Sequence, residues 1–213
     1  GFRHLDLAEA YKTEKACGDA IAGWLADTGS PRSSVWITSK VSAKNAPQLT
    51  EHCDKSLERI GVESLDLYLL HSPFDVDIPV AWRAMEALVD AGKCRYIGVS
   101  NFRESDLVTL LAVARIRPYC NQIEHHPHLQ QPALLDYMAR EKIQVVAYSP
   151  IAPLTKVEGP SELKTVLDSL AEKYSADAGE LLIRWNLMRD HWVLTTTRSP
   201  GKCPKLHAVA AAP

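Results

Sequence analysis

Polar side chains stand at or just beyond the ends of several apolar, strand-like runs, and their types could move a proton. Phe2 to Leu7 is a short run of this kind containing Asp6, and Tyr11 follows that aspartate by five residues, just ahead of an amphipathic helical stretch. Val35 to Lys40 ends in Lys40, Leu65 to His71 ends in His71, and Tyr96 to Asn101 ends in Ser100 and Asn101. If these strands are parallel, Asp6, Tyr11, Lys40 and His71 converge on one face of a sheet. A phenol held there can serve as a proton donor. A free phenol is a weak acid, with a pKa of about 10, and a neighbouring ammonium stabilises its anion. Each residue alone has a plainer reading: Asp6 capping a turn, Lys40 exposed, His71 a satisfied core histidine beside Pro73. Their common place at strand ends, in order, weighs against those readings.

The elements that must position them alternate along the chain. Ala16, Cys17, Ala20, Ile21 and Trp24 form a helical stripe that Thr28-Gly29-Ser30-Pro31 stops. A strand is expected at Val35 to Ser39, then a helix carrying Leu49, Cys53, Leu57 and Ile60 that ends at Gly61. Leu65 to Leu70 is almost continuously apolar, as a strand covered on both faces requires. Val80 to Val89 is expected to be helical, Tyr96 to Ser100 a strand, and Leu107, Leu110, Leu111 and Ala114 the apolar face of the next helix. A strand from Tyr119 to Ile123, a helix from Leu134 to Ala139 and a strand from Ile143 to Tyr148 follow. Two helical stripes (Leu163 to Leu170, Leu181 to Met188) precede a last strand, Trp192 to Thr197. Alternation of this kind implies parallel strands with right-handed crossovers. The pattern alone leaves a barrel and an open doubly wound sheet both standing. No G-x-G-x-x-G follows the first strand, which argues against a dinucleotide-binding open sheet.

At 213 residues, 46% hydrophobic and 23% charged, the chain is expected to be an ordinary soluble globular protein with one large core. A formal net charge of -2 gives no basic field for nucleic acid, and no apolar run approaches the roughly 20 residues that span a bilayer. Cys17, Cys53, Cys94, Cys120 and Cys203 are odd in number and form no C-x-x-C pair, which suits a reducing, cytoplasmic compartment.

Glu124, His125, His126 and His128 invite a metal reading. Neighbouring residues on an extended chain point to opposite faces, however, and no second group at helical spacing supports them, so no metal is expected.

The ordered motifs resemble the aldo-keto reductases, a family of (β/α)8 barrels that reduce aldehydes and ketones with NADP(H), less often NAD(H). The resemblance rests on Gly1, Arg3, His4, Asp6, Tyr11 and Glu14, on Ile37-Thr38-Ser39-Lys40, Leu69-Leu70-His71-Ser72-Pro73 and Gly98-Val99-Ser100-Asn101-Phe102, and on Asn121-Gln122-Ile123-Glu124 with His126-Pro127 and Ala147-Tyr148-Ser149-Pro150. It implies an α/β fold, a TIM-type barrel over residues 1–197, with an irregular, atypical tail over 198–213. It further implies a catalytic set of Tyr11 as proton donor, Lys40 stabilising its anion, Asp6 keeping that lysine charged, and His71 orienting the carbonyl. Tyr148 would stack on the nicotinamide; Ser100, Asn101 and Gln122 would bind its carboxamide; Ser149, Arg198 and Ser199 complete the cofactor set. Asn101 with Glu104 also has the pattern of a helix-capping pair.

The chain is shorter than the about 250 residues typical of such barrels. The resemblance further implies that the first βα unit and the C-terminal helix that grips the adenosine are absent, which that length fits, a truncation at both ends that leaves an open barrel edge for self-association. The activity implied is reduction of a small carbonyl substrate by NADPH, with no nucleic-acid or membrane partner. The alternative is a catalytically impaired barrel that binds a cofactor or a partner.

Overall fold

The computed structural model describes residues 1–42, 48–74, 76–155, 162–197 and 199–211. They form two compact units, Phe2–Asn121 and Gln122–Pro213, with Gly1 grouped with the second.

In the first unit, β1 (His4–Asp6), β2 (Trp36–Val41), β3 (Leu65–Leu70) and β4 (Cys94–Ser100) pair in parallel in chain order. The registers Asp6↔Thr38, Lys40↔Leu69 and Leu69↔Gly98 set one sheet face: His4, Asp6, Thr38, Lys40, Leu69, Gly98 and, by alternation, Ser100. Gly98 is needed on that face, since a Cβ there would stand 2.8 Å from the Leu69 side chain and 2.9 Å from the Cys120 carbonyl oxygen. The opposite face carries Ile37, Ser39, Tyr68, Leu70, Ile97 and Val99, all buried.

Helices α1 (Glu14–Thr28), α2 (Leu49–Ile60), α3 (Ile78–Asp90) and α4 (Glu104–Leu111) follow the strands in turn. Gly29 (φ 63°) and Gly61 (φ 74°) end the first two in the left-handed conformation that glycine adopts at little cost. The Asp77 carboxylate caps α3 by accepting the Val80 N–H at 3.0 Å. Packing of α1 on α2 brings Gly18 against the Ile60 carbonyl so closely that any Cβ there would lie 2.1 Å from its oxygen.

The second unit starts within β5 (Cys120–Glu124) and continues through α5 (Pro132–Arg140), β6 (Gln144–Tyr148), α6 (Ala152–Thr155), α7 (Glu162–Tyr174), α8 (Ala178–Leu187), β7 (Trp192–Val193) and α9 (Cys203–Ala211). β6 and β7 pair in parallel, Val146 opposite Trp192. Asp177 and Glu180 cap α8 reciprocally, at 2.8 and 2.7 Å.

Two expectations for this end need correction. The strand expected from Trp192 to Thr197 is only Trp192–Val193, extended by a bond from the Leu194 N–H to the Ala147 carbonyl. Threonines favour strands, but a strand needs a partner. β6 stops at Tyr148, and Ser149 (φ 51°) turns out of the ladder. The tail expected to be irregular holds a 3-10 turn, Pro200–Lys202, and then α9. Alanine has the best helix propensity, and Pro204 in the first turn is compatible with it. α8 supplies the docking: Lys205 Nζ reaches Asp177 (2.9 Å) and Glu180 (3.3 Å), and Val209 is buried. Among the described residues, no helix is long and apolar enough to cross a membrane.

Buried imidazoles in the second unit give stability a pH dependence. His125 Nδ1 lies 2.6 Å from the Asn186 side-chain oxygen, its ring stacks on Trp185, and the His191 ring meets it edge-on at 4.8 Å. Burial lowers His191 from 6.5 to about 4, with the His125 ring and the Arg189 charge adding to the effect; burial also lowers His125. Below the ordinary histidine pKa the unfolded chain therefore binds more protons than the folded one. Stability is full above about pH 6.5 and falls as the pH drops towards about 4. Melting temperatures across this window are expected to show the decline, and His191→Phe to remove part of it. An unchanged slope in that variant would assign the loss to other groups.

Candidate active site

The centre of the first unit's site is a buried ammonium. Lys40, fully buried in β2, donates to Asp6 Oδ2 at 2.5 Å, to the Leu7 carbonyl at 2.9 Å and to the Tyr11 hydroxyl at 3.3 Å. An ammonium has three N–H donors, and these contacts occupy all of them. Asp6, the last residue of β1, supplies the countercharge that makes burial tolerable. Tyr11 reaches the ammonium because it closes a 3-10 turn, Glu9–Tyr11, which Lys12 ends at φ 57°. With its oxygen accepting from Lys40, the Tyr11 O–H is left to donate elsewhere.

His71 follows β3 directly, its N–H bonded to the Val41 carbonyl at 2.8 Å, and its ring meets Tyr11 edge-on at 5.6 Å. Burial lowers its pKa, the Lys40 charge adds to this and the Asp6 charge opposes it, so the site favours the neutral imidazole. His71 opens on a cleft of about 480 Å³ lined by Glu9, Ala10, Ser42, Ser72 and Asn101, a size suited to a small ligand.

At the end of β4, Asn101 takes a left-handed φ of 62°, and its Nδ2 donates to the His71 carbonyl (2.9 Å) and the Ser100 hydroxyl (3.1 Å). The structure thus brings Asp6, Tyr11, Lys40, His71, Ser100 and Asn101 together. The expected Asn101–Glu104 cap is displaced: Arg103 is the N-cap of α4, the Asp106 carboxylate accepts its N–H at 2.9 Å, and Asn101 lies two residues upstream with a left-handed φ.

The chain has counterparts among known proteins. The sequence profile described as "Aldo/keto reductase family" matches residues 1–203. The chain belongs to the aldo/keto reductase family. It is similar to the glyoxal reductase of Bacillus subtilis, at 38% identity over 93% of this chain and 69% of that protein. The NADPH-dependent alpha-keto amide reductase of Saccharomyces cerevisiae is 35% identical over 95% of this chain and 68% of that protein. Among solved structures, the Bombyx mori aldo-keto reductase in complex with NADP superposes with a TM-score of 0.87 at 27% identity, covering 99% of this chain and 78% of that one. The fold is accordingly α/β, the (β/α)8 barrel of the aldo/keto reductases in incomplete form, with seven strands among the described residues.

The remaining residues expected to meet an aldo/keto reductase cofactor belong to the second unit. Gln122 is buried in β5, and Tyr148 is half-buried at the end of β6, its carbonyl accepting the His125 N–H at 3.3 Å. Ser149 accepts the Ala152 N–H through its carbonyl at 3.0 Å. Ser199 is exposed and donates its N–H to Thr197 Oγ1 at 3.1 Å. Arg198 lies outside the described residues. The histidines next to Glu124 have structural partners: His125 is held by Asn186, and His126 Nε2 lies 3.6 Å from Glu124.

Sequence reasoning missed two supports of this aldo/keto reductase site. Glu14, buried at the start of α1, accepts from Ser39 Oγ at 2.6 Å and Arg59 Nε at 2.7 Å, tying the segment after Tyr11 to the back of β2. Asn121, fully buried, grips the backbone of Phe102. Both residues stood inside the quoted motifs, but their burial and partners are tertiary facts.

Proposed function

We propose that this aldo/keto reductase reduces an aldehyde or ketone to the alcohol with NADPH, and that Tyr11 is the proton donor. The observation that carries this reading is the saturated ammonium of Lys40, whose third hydrogen bond ends on the Tyr11 oxygen. As the Tyr11 O–H passes its proton to the substrate oxygen, the phenolate left behind faces a fixed positive charge. A charge held in place beforehand needs no reorganisation during the reaction. Asp6 pairs with the Lys40 ammonium and aims it. His71 donates one imidazole N–H to the substrate oxygen and sets the direction of the carbonyl.

Within the first unit the donor set fits a nicotinamide: the Ser100 hydroxyl and the Asn101 amide suit a carboxamide, which both donates and accepts. Bound NADPH supplies the hydride to the carbonyl carbon. The two relatives named as reductases of dicarbonyl-type compounds, glyoxal and alpha-keto amides, support a small, activated carbonyl as substrate.

The test is an assay of the full-length protein with NADPH and 4-nitrobenzaldehyde. Loss of NADPH absorbance matched by one alcohol per cofactor is expected. NADPH binding by fluorescence titration without any turnover would overturn the reductase reading and leave a binding-only barrel.

A further inference from the structure

Asn101 is held at φ 62°, a left-handed conformation that an L-residue adopts only at a cost. Asparagine tolerates it better than most, but such strain persists only where the surroundings over-determine the turn. The side chain of Asn101 contributes through its bonds to the His71 carbonyl and Ser100. The next residue is gripped from outside the turn. Asn121 Oδ1 accepts the Phe102 N–H at 3.3 Å, and Asn121 Nδ2 donates to the Phe102 carbonyl at 2.8 Å. This two-point contact imitates the exchange between paired strands, and both residues are buried, Asn121 at 0% and Phe102 at 1% exposure. Of the side chains of this size, an asparagine alone presents a donor and an acceptor in that spacing; aspartate has no donor and leucine neither.

We propose that Asn121 is a positioning residue for the cofactor's carboxamide end: it clamps Phe102, and so holds Asn101 and Ser100 in the orientation that meets the carboxamide. The clamp also steadies His71, because Asn101 is bonded to its carbonyl. This inference rests on the reading of Ser100 and Asn101 as carboxamide ligands. Asn121 itself touches no reacting atom. Its effect is therefore confined to the nicotinamide half of the cofactor, whereas a general loosening of the fold would weaken both halves.

The experiment compares NADPH with 2'-phospho-ADP-ribose, the same cofactor without its nicotinamide, by fluorescence and calorimetric titration of the full-length protein. Asn121→Asp keeps the acceptor but turns a carboxylate oxygen on the Phe102 carbonyl; Asn121→Ala removes both contacts. Either variant is expected to bind NADPH about tenfold more weakly, the size of one lost hydrogen bond, and to bind 2'-phospho-ADP-ribose within about twofold of the parent. Asn101→Ala is expected to weaken NADPH similarly, and Asn101→Ala with Asn121→Ala by less than the product of the two single effects, since Asn121 acts in part through Asn101. Equal weakening of both ligands, or unchanged NADPH affinity in the Asn121 variants while Asn101→Ala loses it, overturns the positioning role. Unchanged NADPH affinity in Asn101→Ala instead overturns the carboxamide reading, and the inference with it.

Discussion

Tyr11→Phe is expected to lower the turnover of a test aldehyde by about 100-fold or more, the lower end of what a positioned general acid contributes, while NADPH affinity stays within about twofold. The substitution keeps the ring, so its edge contact with His71 is retained and only the O–H goes. Tyr11 is 47% exposed on its short turn, so water can replace its oxygen as an acceptor for Lys40. Stability should therefore hardly change. Lys40 loses one of its three acceptors but keeps Asp6 and the Leu7 carbonyl. Single-turnover measurement with NADPH in excess separates chemistry from binding. Retention of most of the activity would remove Tyr11 from the mechanism and leave water as the proton source.

Lys40→Met is expected to have the larger combined effect, on turnover and on the fold. Methionine fills the same space with no donors. The Leu7 carbonyl loses its ammonium partner, and Asp6, with only 14% of its side chain exposed, loses its countercharge. Breaking a buried pair from one side costs about 3–5 kcal/mol. Removing a preorganised charge from beside the developing phenolate costs about 100- to 1,000-fold in turnover. A second substitution separates the two: Asp6→Asn added to Lys40→Met removes the orphaned charge, so most of the stability should return while turnover stays low. Chemical denaturation and aldehyde turnover on the three proteins check this. A single Lys40→Met variant as stable as the parent would refute the pairing with Asp6, and one equally active would refute the role of the ammonium.

Much of the architecture was legible in the chain because its signals are local. The apolar stripe and stop of α1, the α2 span ending at Gly61 and the continuous apolar run of β3 rest on periodicity and on glycine or proline punctuation within a few residues. The candidate chemical residues were legible for the same reason: polar groups that close apolar strands stand out in the sequence. What the pattern did not carry was everything decided by partners distant in the chain. Alternation alone left barrel and open sheet both standing, since the same βα units build either; the resemblance of the ordered motifs called for the barrel, and likeness to solved aldo/keto reductases bears that out.

The last strand was overestimated because threonines favour strands, whereas a ladder extends only as far as its neighbour does, and β6 ends at Tyr148. The tail carried no helical period in its few residues, yet α9 forms where Lys205 and Val209 dock on α8. At the site, residue types and order came from the sequence. The three-way saturation of Lys40, the lowered pKa of His71 and the hold of Asn121 on the Asn101 turn came from folding, because each depends on burial and on atoms brought together across 19 or more positions of the chain. Hydrogen-bond geometry and desolvation are properties of a neighbourhood in space, and the sequence determines that neighbourhood only through the complete fold.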